Sequence, residues 1–167
     1  MSQPTARDHI LLAIRGARPA FVVRPQVRDL VRAFTRNHHD RVADFMNAAR
    51  AVGTEVIEGD RRTVMNIDPD AKVYDAILGV AENGAVWLPD SRIRDRAALF
   101  LTEHVIVVLD RAHIVDDLHT AYSRVNVARE GFGMFMAGPS KTADIEQSLV
   151  IGAQGPKRLT LLLVEET

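Results

Sequence analysis

The side chains best suited to chemistry lie in one stretch near the C-terminus, Gly138–Glu146 (GPSKTADIE). Ser140 and Thr142 supply hydroxyls, and Asp144 and Glu146 supply carboxylates, next to a Gly138-Pro turn. Apolar runs flank the stretch, and in open α/β sheets ligands bind at such connections after strands. The pattern predicts a small-ligand or anion site built on these five residues. The alternative is a turn at Gly138 and a helix cap at Asp144.

A second candidate is Glu82-Asn83-Gly84, which lies between two apolar runs. A carboxylate in this position could act as a nucleophile, a general base or a positioning acceptor, so Glu82 is the candidate catalytic residue. Asn83 and Gly84 would then contact the ligand. Asn-Gly between apolar runs is also typical of a two-residue hairpin turn. Both interpretations hold if the turn displays Glu82 into a pocket.

Histidines and cations add candidates of lower specificity. His38-His39-Asp40 could suggest a metal, but adjacent helical residues do not face one point, and no His-x-x-x-His spacing is present. We therefore expect a surface helix start there and no metal site. Lys141 and the pair Lys157-Arg158 flank the C-terminal stretch, where they could hold an anionic ligand or an acidic partner, or be solvated.

Composition narrows the class of protein. With 167 residues, 47% of them hydrophobic, the chain suffices for one folded domain. A net charge of −1 argues against nucleic-acid or anionic-membrane binding. The apolar runs are too short to span a membrane, and no secretory signal is evident, so we expect a cytoplasmic protein. The absence of cysteine excludes a thiol nucleophile and a cysteine-ligated iron–sulfur cluster in this chain; no cofactor is identified.

Hydrophobic periodicity predicts an α/β fold that must position these side chains. Helices are predicted over residues 2–15, 40–52, 96–101, 115–125 and 144–150. Strands are predicted over residues 54–57, 76–80, 85–88, 105–109, 132–137 and 159–164. Because these strands are short apolar runs with little alternation, we expect a three-layer domain with a mostly parallel sheet flanked by helices. Residues 1–38 would form an N-terminal helical arm and residues 39–167 the α/β domain.

The C-terminal stretch, with Gly152 and Gly155-Pro156 after it, resembles the signature of the LUD-domain family, the lactate-utilisation protein C and YkgG-type proteins. Upstream, Ala81–Val86 (AENGAV) resembles the family's Ala-Glu-Thr-Gly segment, with Asn83 in place of the usual threonine. Residues 104–109 and 114–118 resemble the strand and the helix start that follow. The resemblance covers residues 73–167, whereas residues 1–72 match only loosely.

The resemblance implies a NagB/RpiA/CoA transferase-like fold, found in sugar-phosphate isomerases, coenzyme A transferases and 5-formyltetrahydrofolate cyclo-ligase. It also implies a role in oxidising L-lactate to pyruvate with iron–sulfur partner proteins, and a subunit without cysteine is compatible with that role. Glu-Asn-Gly is also similar to the catalytic glutamate segment of class I coenzyme A transferases. An independent enzyme for an acyl-coenzyme A, folate or phosphorylated substrate therefore stays open. So do a structural scaffold and a homo-oligomer.

Overall fold

The computed structural model describes residues 5–17, 40–145 and 148–165, with main chain alone at 143–145, 148 and 149. The chain divides into two compact units, residues 1–37 and 38–167. In the first unit, helix α1 (Ala6–Gly16) begins at a capping box between Thr5 and Asp8. The histidine pair at 38–39 lies outside the described residues.

The described part of the second unit alternates strands with short helices. The strands are β1 (Glu55–Glu58), β2 (Lys72–Asp75), β3 (Leu78–Val80), β4 (Ala85–Pro89), β5 (His104–Asp110), β6 (Ile114–Val115), β7 (Gly133–Met136), β8 (Lys141–Ile145), β9 (Ser148–Ile151) and β10 (Arg158–Val164). The helices are α2 (Arg41–Ala51), α3 (Arg96–Leu101), α4 (Leu118–Arg124) and α5 (Val127–Glu130), with 3₁₀ turns at Arg61–Asn66, Asp90–Arg92 and Arg111–His113. Each of these α-helices begins at an Asp or Asn whose side chain accepts from a main-chain N–H of the first turn.

The strands form two four-stranded sheets and a separate hairpin. Sheet A has the order β1-β10-β5-β2, and all its strands are parallel. Sheet B has the order β6-β3-β4-β7, in which β3–β4 and β4–β7 are antiparallel and β3–β6 is parallel. The predicted α/β class, with a mostly parallel sheet flanked by helices, is confirmed. The division into two sheets was not predicted.

Sheets A and B pack face to face across the main hydrophobic core. Val107 and Leu161 of sheet A, Val86 of sheet B and Phe45 of α2 are all fully buried members of this core. Burying a side chain of this size stabilises the fold by roughly 1.5–3 kcal/mol relative to leaving it exposed. Helix α2 is therefore held through its apolar side, as its predicted periodicity required.

The outer faces of the two sheets are also covered. On sheet B, Trp87 packs with Phe135 and with Leu118 of α4. On sheet A, Leu162 packs with Val64 from the 3₁₀ turn Arg61–Asn66. Because both faces are covered, the central strands are continuous apolar runs, which is why they could be predicted.

The single strand predicted over residues 76–80 is wrong in its bounds. The chain changes sheet within it, because the Ala76 N–H donates to Val108 in sheet A whereas the Ile77 N–H donates to Trp87 in sheet B. β2 precedes this crossing and β3 follows it. Lys72 and Asp75 make β2 a polar edge strand, so its composition did not indicate a buried strand.

The helix predicted over residues 144–150 is also wrong, because β8 and β9 form an antiparallel hairpin there. Thr142 pairs with Val150, and Asp144 lies inside β8 instead of at a helix N-terminus. A seven-residue helix gains little by itself, whereas β-branched residues such as Val150 and Ile151 favour a paired strand.

Candidate functional site

The turn after β7 is shaped by its contact with helix α2. Gly138 has φ +75°, and a Cβ placed there would lie 2.5 Å from the Val52 carbonyl oxygen at the C-terminal end of α2. A side chain would clash with that main-chain oxygen, so glycine is required for packing. The close approach that Gly138 permits is therefore an approach to α2.

Beyond this turn, a small cavity contains part of the predicted ligand site. Its volume is ≈ 270 Å³, and it is lined by Phe100, Met134, Phe135, Met136, Ala137, Gly138, Pro139, Ser140, Lys141, Thr142, Gln154, Gly155 and Pro156. The Ser140 N–H donates to the Pro156 carbonyl (2.9 Å), and the Ser140 carbonyl accepts from the Gly152 N–H (3.0 Å). These bonds hold the 138–142 segment against the chain that enters β10. Gly138, Ser140 and Thr142 thus share one cavity.

The cations that flank this cavity are already engaged. The Lys141 Nζ donates to the Val52 carbonyl (2.7 Å) at the C-terminal end of α2. Lys157 pairs with Glu103 (2.5 Å), and the hydrogen bond from Lys157 lowers the pKa of the Glu103 carboxyl. Arg158 pairs with the carboxylate of Asp68 (2.5 Å). The cavity therefore presents hydroxyls and main-chain groups more than available positive charge.

Glu82 lies in the connection between β3 and β4, at the end of sheet B where β7 also ends. Its carboxylate accepts a hydrogen bond from the Leu118 N–H (3.1 Å) in the first turn of α4, and its own N–H donates to the Asp116 carbonyl. The carboxyl group is on the exposed side of the molecule. A carboxylate at a helix N-terminus is favourably placed relative to the helix dipole. This geometry links the β3–β4 connection to α4.

The predicted Asn83-Gly84 hairpin is confirmed, but its connection has four residues, Ala81–Gly84, in place of two. The Asn83 Oδ1 accepts from the Ala85 N–H (3.0 Å) and closes the turn. Gly84 has φ +69°, and a Cβ there would lie 2.3 Å from the Ala49 nitrogen in the middle of α2. Like Gly138, Gly84 is required because α2 crosses directly over it.

The two predicted segments are neighbours in sheet B. Gly84 directly precedes β4 and Gly138 follows the end of β7, next to the pairing of Val86 with Met136, and both glycines contact α2 or its C-terminal end. Glu82 is not among the residues that line the 270 Å³ cavity. From the sequence we also expect Glu82 to lie close to Ser140, Thr142 and Asp144, and this proximity stays a prediction. The Asp144 side chain and Glu146 lie outside the described parts of the chain.

A buried polar network, which no sequence pattern indicated, lies at the amino ends of the sheet A strands. The His104 Nδ1 lies 2.8 Å from the Asp68 Oδ2, and its Nε2 lies 2.9 Å from the Thr160 Oγ1. The Thr160 hydroxyl donates to Glu55 (2.9 Å). The contact with His104 lowers the pKa of the Asp68 carboxyl. Because the partners come from β1, β5, β10 and a loop, only spacing in three dimensions reveals the network.

The architecture defines an α/β domain with a parallel sheet, a mixed sheet and a small cavity at a loop. No described helix is long and apolar enough to cross a membrane. Among the described side chains, no group of three His, Cys, Asp or Glu is placed to hold a metal ion. The LUD domain family model matches residues 70–164, more than half of the chain, and the chain therefore belongs to the LUD domain family.

Two named relatives each match slightly more than half of the chain. "Lactate utilization protein C" of Bacillus pumilus (strain SAFR-032) is 34% identical over 93 residues, which are 52% of this chain and 39% of that protein. "Lactate utilization protein C 1" of Bacillus mycoides (strain KBAB4) is 32% identical over 95 residues, 53% of this chain and 41% of that protein. The chain thus spans about two-fifths of the length of these relatives. A DUF162 family protein from Deinococcus radiodurans shares the fold, with a TM-score of 0.57, 15% identity and coverage of 78% of this chain and 99% of that one.

Proposed function

We propose that this chain acts in lactate utilisation, as a subunit or accessory protein of a system that oxidises L-lactate to pyruvate with iron–sulfur partner proteins. The observation that carries the proposal is the match of residues 70–164 to the LUD domain. Two proteins named for lactate utilisation are 34% and 32% identical to this chain over 93 and 95 residues. Because the chain has no cysteine, any cysteine-ligated cluster would belong to the partners.

The cavity at the 138–142 turn is the site we assign to this role. Ser140 and Thr142 carry hydroxyls, and both residues line the cavity together with Gly138. Hydroxyl and main-chain N–H groups can donate hydrogen bonds to a carboxylate without the strong desolvation cost of burying a cation. A small hydroxy acid or keto acid carries a carboxylate that can accept these hydrogen bonds. The cavity could equally accept the end of a partner's chain.

Growth on L-lactate tests the proposal. We expect a strain without this chain to grow poorly on L-lactate and normally on glucose, and the full chain to restore growth. A Ser140→Ala/Thr142→Val double variant should restore less growth, whereas Ser123→Ala should restore it fully, because the Ser123 hydroxyl is exposed on α4 and bonds the Thr120 carbonyl within that helix. Normal growth of the deletion strain on L-lactate would refute the role.

Affinity purification of the full chain tests the partner half of the proposal. We expect it to recover cysteine-rich iron–sulfur proteins from cells grown on L-lactate. The absence of such proteins under these conditions, in a strain where the chain supports growth on lactate, would assign it an independent role in the same process.

The second candidate is an independent enzyme that uses Glu82. The exposed Glu82 carboxylate in the Ala81–Gly84 connection favours this alternative, since a group that reacts with substrate must be accessible. Glu130 offers a matched control, because its carboxylate also accepts a main-chain N–H, that of Ser91 (3.3 Å, against 3.1 Å for Glu82). If Glu82 is catalytic, Glu82→Gln should abolish turnover of an acyl-coenzyme A, folate or phosphorylated substrate while Glu130→Gln retains it. Equal turnover by both variants would remove this candidate.

A further inference from the structure

A second, larger concavity runs along the outer edge of β2, away from the 138–142 turn. Its volume is ≈ 530 Å³, within the range of small-molecule sites. It is lined by Arg61, Lys72, Val73, Tyr74, Asp75, Arg92, Arg94, Asp95 and Ala98. One wall is the whole of β2, and the other is the segment between the 3₁₀ turn Asp90–Arg92 and α3. We refer to this concavity as the β2 groove.

The β2 groove holds positive charge that no described side chain neutralises. Of its four cations, Arg61 makes two hydrogen bonds with Asp75 (2.5 and 2.8 Å), so this pair is internally balanced. The side chains of Lys72, Arg92 and Arg94 make no ion pair or hydrogen bond with any residue that the structure describes. With Asp95 as the other carboxylate, the groove has four positive and two negative groups, a surplus of two.

The two carboxylates of the groove are occupied. Asp75 is held by Arg61, and Asp95 accepts from the Ala98 N–H (3.1 Å) as the N-cap of α3. Neither is therefore placed to neutralise Arg92 or Arg94. The cations beside the 138–142 turn differ, because each of them has a partner in the protein. Unpaired like charges gathered in one concavity repel one another and raise the local concentration of anions.

Main-chain groups of β2 also face the groove. β2 is an edge strand of sheet A and pairs only with β5. Along a parallel strand, the main-chain N–H groups of successive residues point alternately to one neighbouring side and to the other. Because the Ala76 N–H donates to Val108 in β5, the N–H groups of Val73 and Asp75 point to the outer edge. Among the described residues, neither N–H has an acceptor. The groove thus combines N–H donors with cationic side chains, as anion sites do.

The β2 groove extends to the carboxyl ends of the parallel strands. A smaller concavity of ≈ 120 Å³ shares Arg61, Asp75 and Arg92 with it and is also lined by Asp110, which ends β5, and Val164, which ends β10. In α/β sheets, ligands bind outside the carboxyl ends of parallel strands. The β2 groove therefore reaches the place where ligands bind in α/β sheets, and its positive charge indicates an anionic ligand.

We propose that the β2 groove binds a small dianion of the phosphate or dicarboxylate class, with Lys72, Arg92 and Arg94 as its charged contacts. Two negative charges on the ligand match the surplus of two on the groove. The Arg61–Asp75 pair forms a fixed wall, and the Val73 N–H donates to the ligand. This proposal is independent of the role in lactate utilisation, since its test measures binding alone.

Calorimetric titration of the full chain at low ionic strength and mildly alkaline pH tests the proposal, with inorganic phosphate and succinate, both dianions under these conditions, as probes of the two ligand classes. We expect saturable 1:1 binding of at least one probe, and the probe that binds more tightly identifies the class. An Arg92→Ala/Arg94→Ala variant should weaken that binding at least about tenfold, since it removes two charge-assisted contacts with the ligand.

The control is an Arg124→Ala/Arg129→Ala variant, which removes the same charge from exposed positions outside the groove. It should bind the probe within about twofold of the wild type, because distant surface charges are screened. Saturable binding of neither probe would overturn the proposal, and so would an equal loss in the control. Binding of a poly-glutamate peptide without binding of either small dianion would also overturn it, because the groove would then be a docking edge for an acidic protein segment.

Discussion

Substituting alanine for Gly84 tests whether the Glu82-Asn83-Gly84 segment is shaped by packing against α2. A Cβ at this position would lie 2.3 Å from the Ala49 nitrogen, 2.4 Å from the Ala49 Cα and 2.8 Å from the Ala48 carbonyl carbon. These atoms belong to the main chain of a helix and cannot rotate away as a flexible side chain does. Alanine therefore forces α2 away from sheet B.

The expected loss in the free energy of unfolding has two unfavourable contributions and one that offsets them. At φ +69°, an L side chain costs roughly 1–2 kcal/mol. Displacement of packed structure costs about 1–3 kcal/mol more. The reduced freedom of the unfolded chain offsets about 0.4–1 kcal/mol. We expect Gly84→Ala to lower the free energy of unfolding by about 2–4 kcal/mol.

Gly131 provides the matched control. Its φ is +72°, nearly that of Gly84, but no atom lies within 4 Å of its Cβ position. Gly131→Ala therefore carries only the backbone term and should cost about 1 kcal/mol or less. Equilibrium unfolding in urea, followed through the fluorescence of the buried Trp87, measures both variants. Equal destabilisation of the two variants would refute the assignment of Gly84 to helix packing.

Two further predictions concern the core and the polar network. Leu161→Ala should lower the free energy of unfolding by about 2–5 kcal/mol, because Leu161 is fully buried. Leu101→Ala, at an 82% exposed position, should change it by about 0.5 kcal/mol or less. Urea unfolding measures both variants, and similar losses would contradict the assigned core. Asp68→Asn should destabilise the protein at pH 7, and the difference from the wild type should narrow below about pH 4. The hydrogen bond from His104 holds the pKa of the Asp68 carboxyl below its ordinary 3.8. The stability that the Asp68 carboxylate contributes is therefore present above pH 3.8 and is lost as the pH falls through the lower pKa of the folded state. A difference that stays constant from pH 7 to pH 3, measured by thermal unfolding, would contradict this role of the carboxylate.

The resemblance of the C-terminal stretch and the Ala81–Val86 segment correctly indicated the LUD domain family, because the residue types of such motifs are local. The turn at Gly138 and the hairpin at Gly84 were also predictable, since glycine and asparagine have conformations that other residues rarely adopt. What these glycines contact was not predictable. Both make room for α2, whose position depends on the packing of the two sheets.

The strand predictions were also correct where local residue types decide the structure and wrong where long-range pairing decides it. β4, β5 and β10 lie within one residue of their predicted bounds, because strands buried on both faces require continuous apolar residues. β2 was missed because an edge strand has one solvent-facing side and tolerates Lys72 and Asp75. The helix predicted from Asp144 failed because a short amphipathic run fits either a helix or a hairpin, and long-range pairing decides between them.

The sequence by itself determined the α/β class, the buried strands and the family, because burial and turn formation impose their requirements on each local segment. Only the tertiary structure decided which charges remain unpaired. It pairs Lys141, Lys157 and Arg158, which lie beside the suspected site in sequence, and it gathers Lys72, Arg92 and Arg94 into an unneutralised groove. The physical reason is that electrostatic energy depends on distances between side chains, and folding brings together positions that are far apart along the chain.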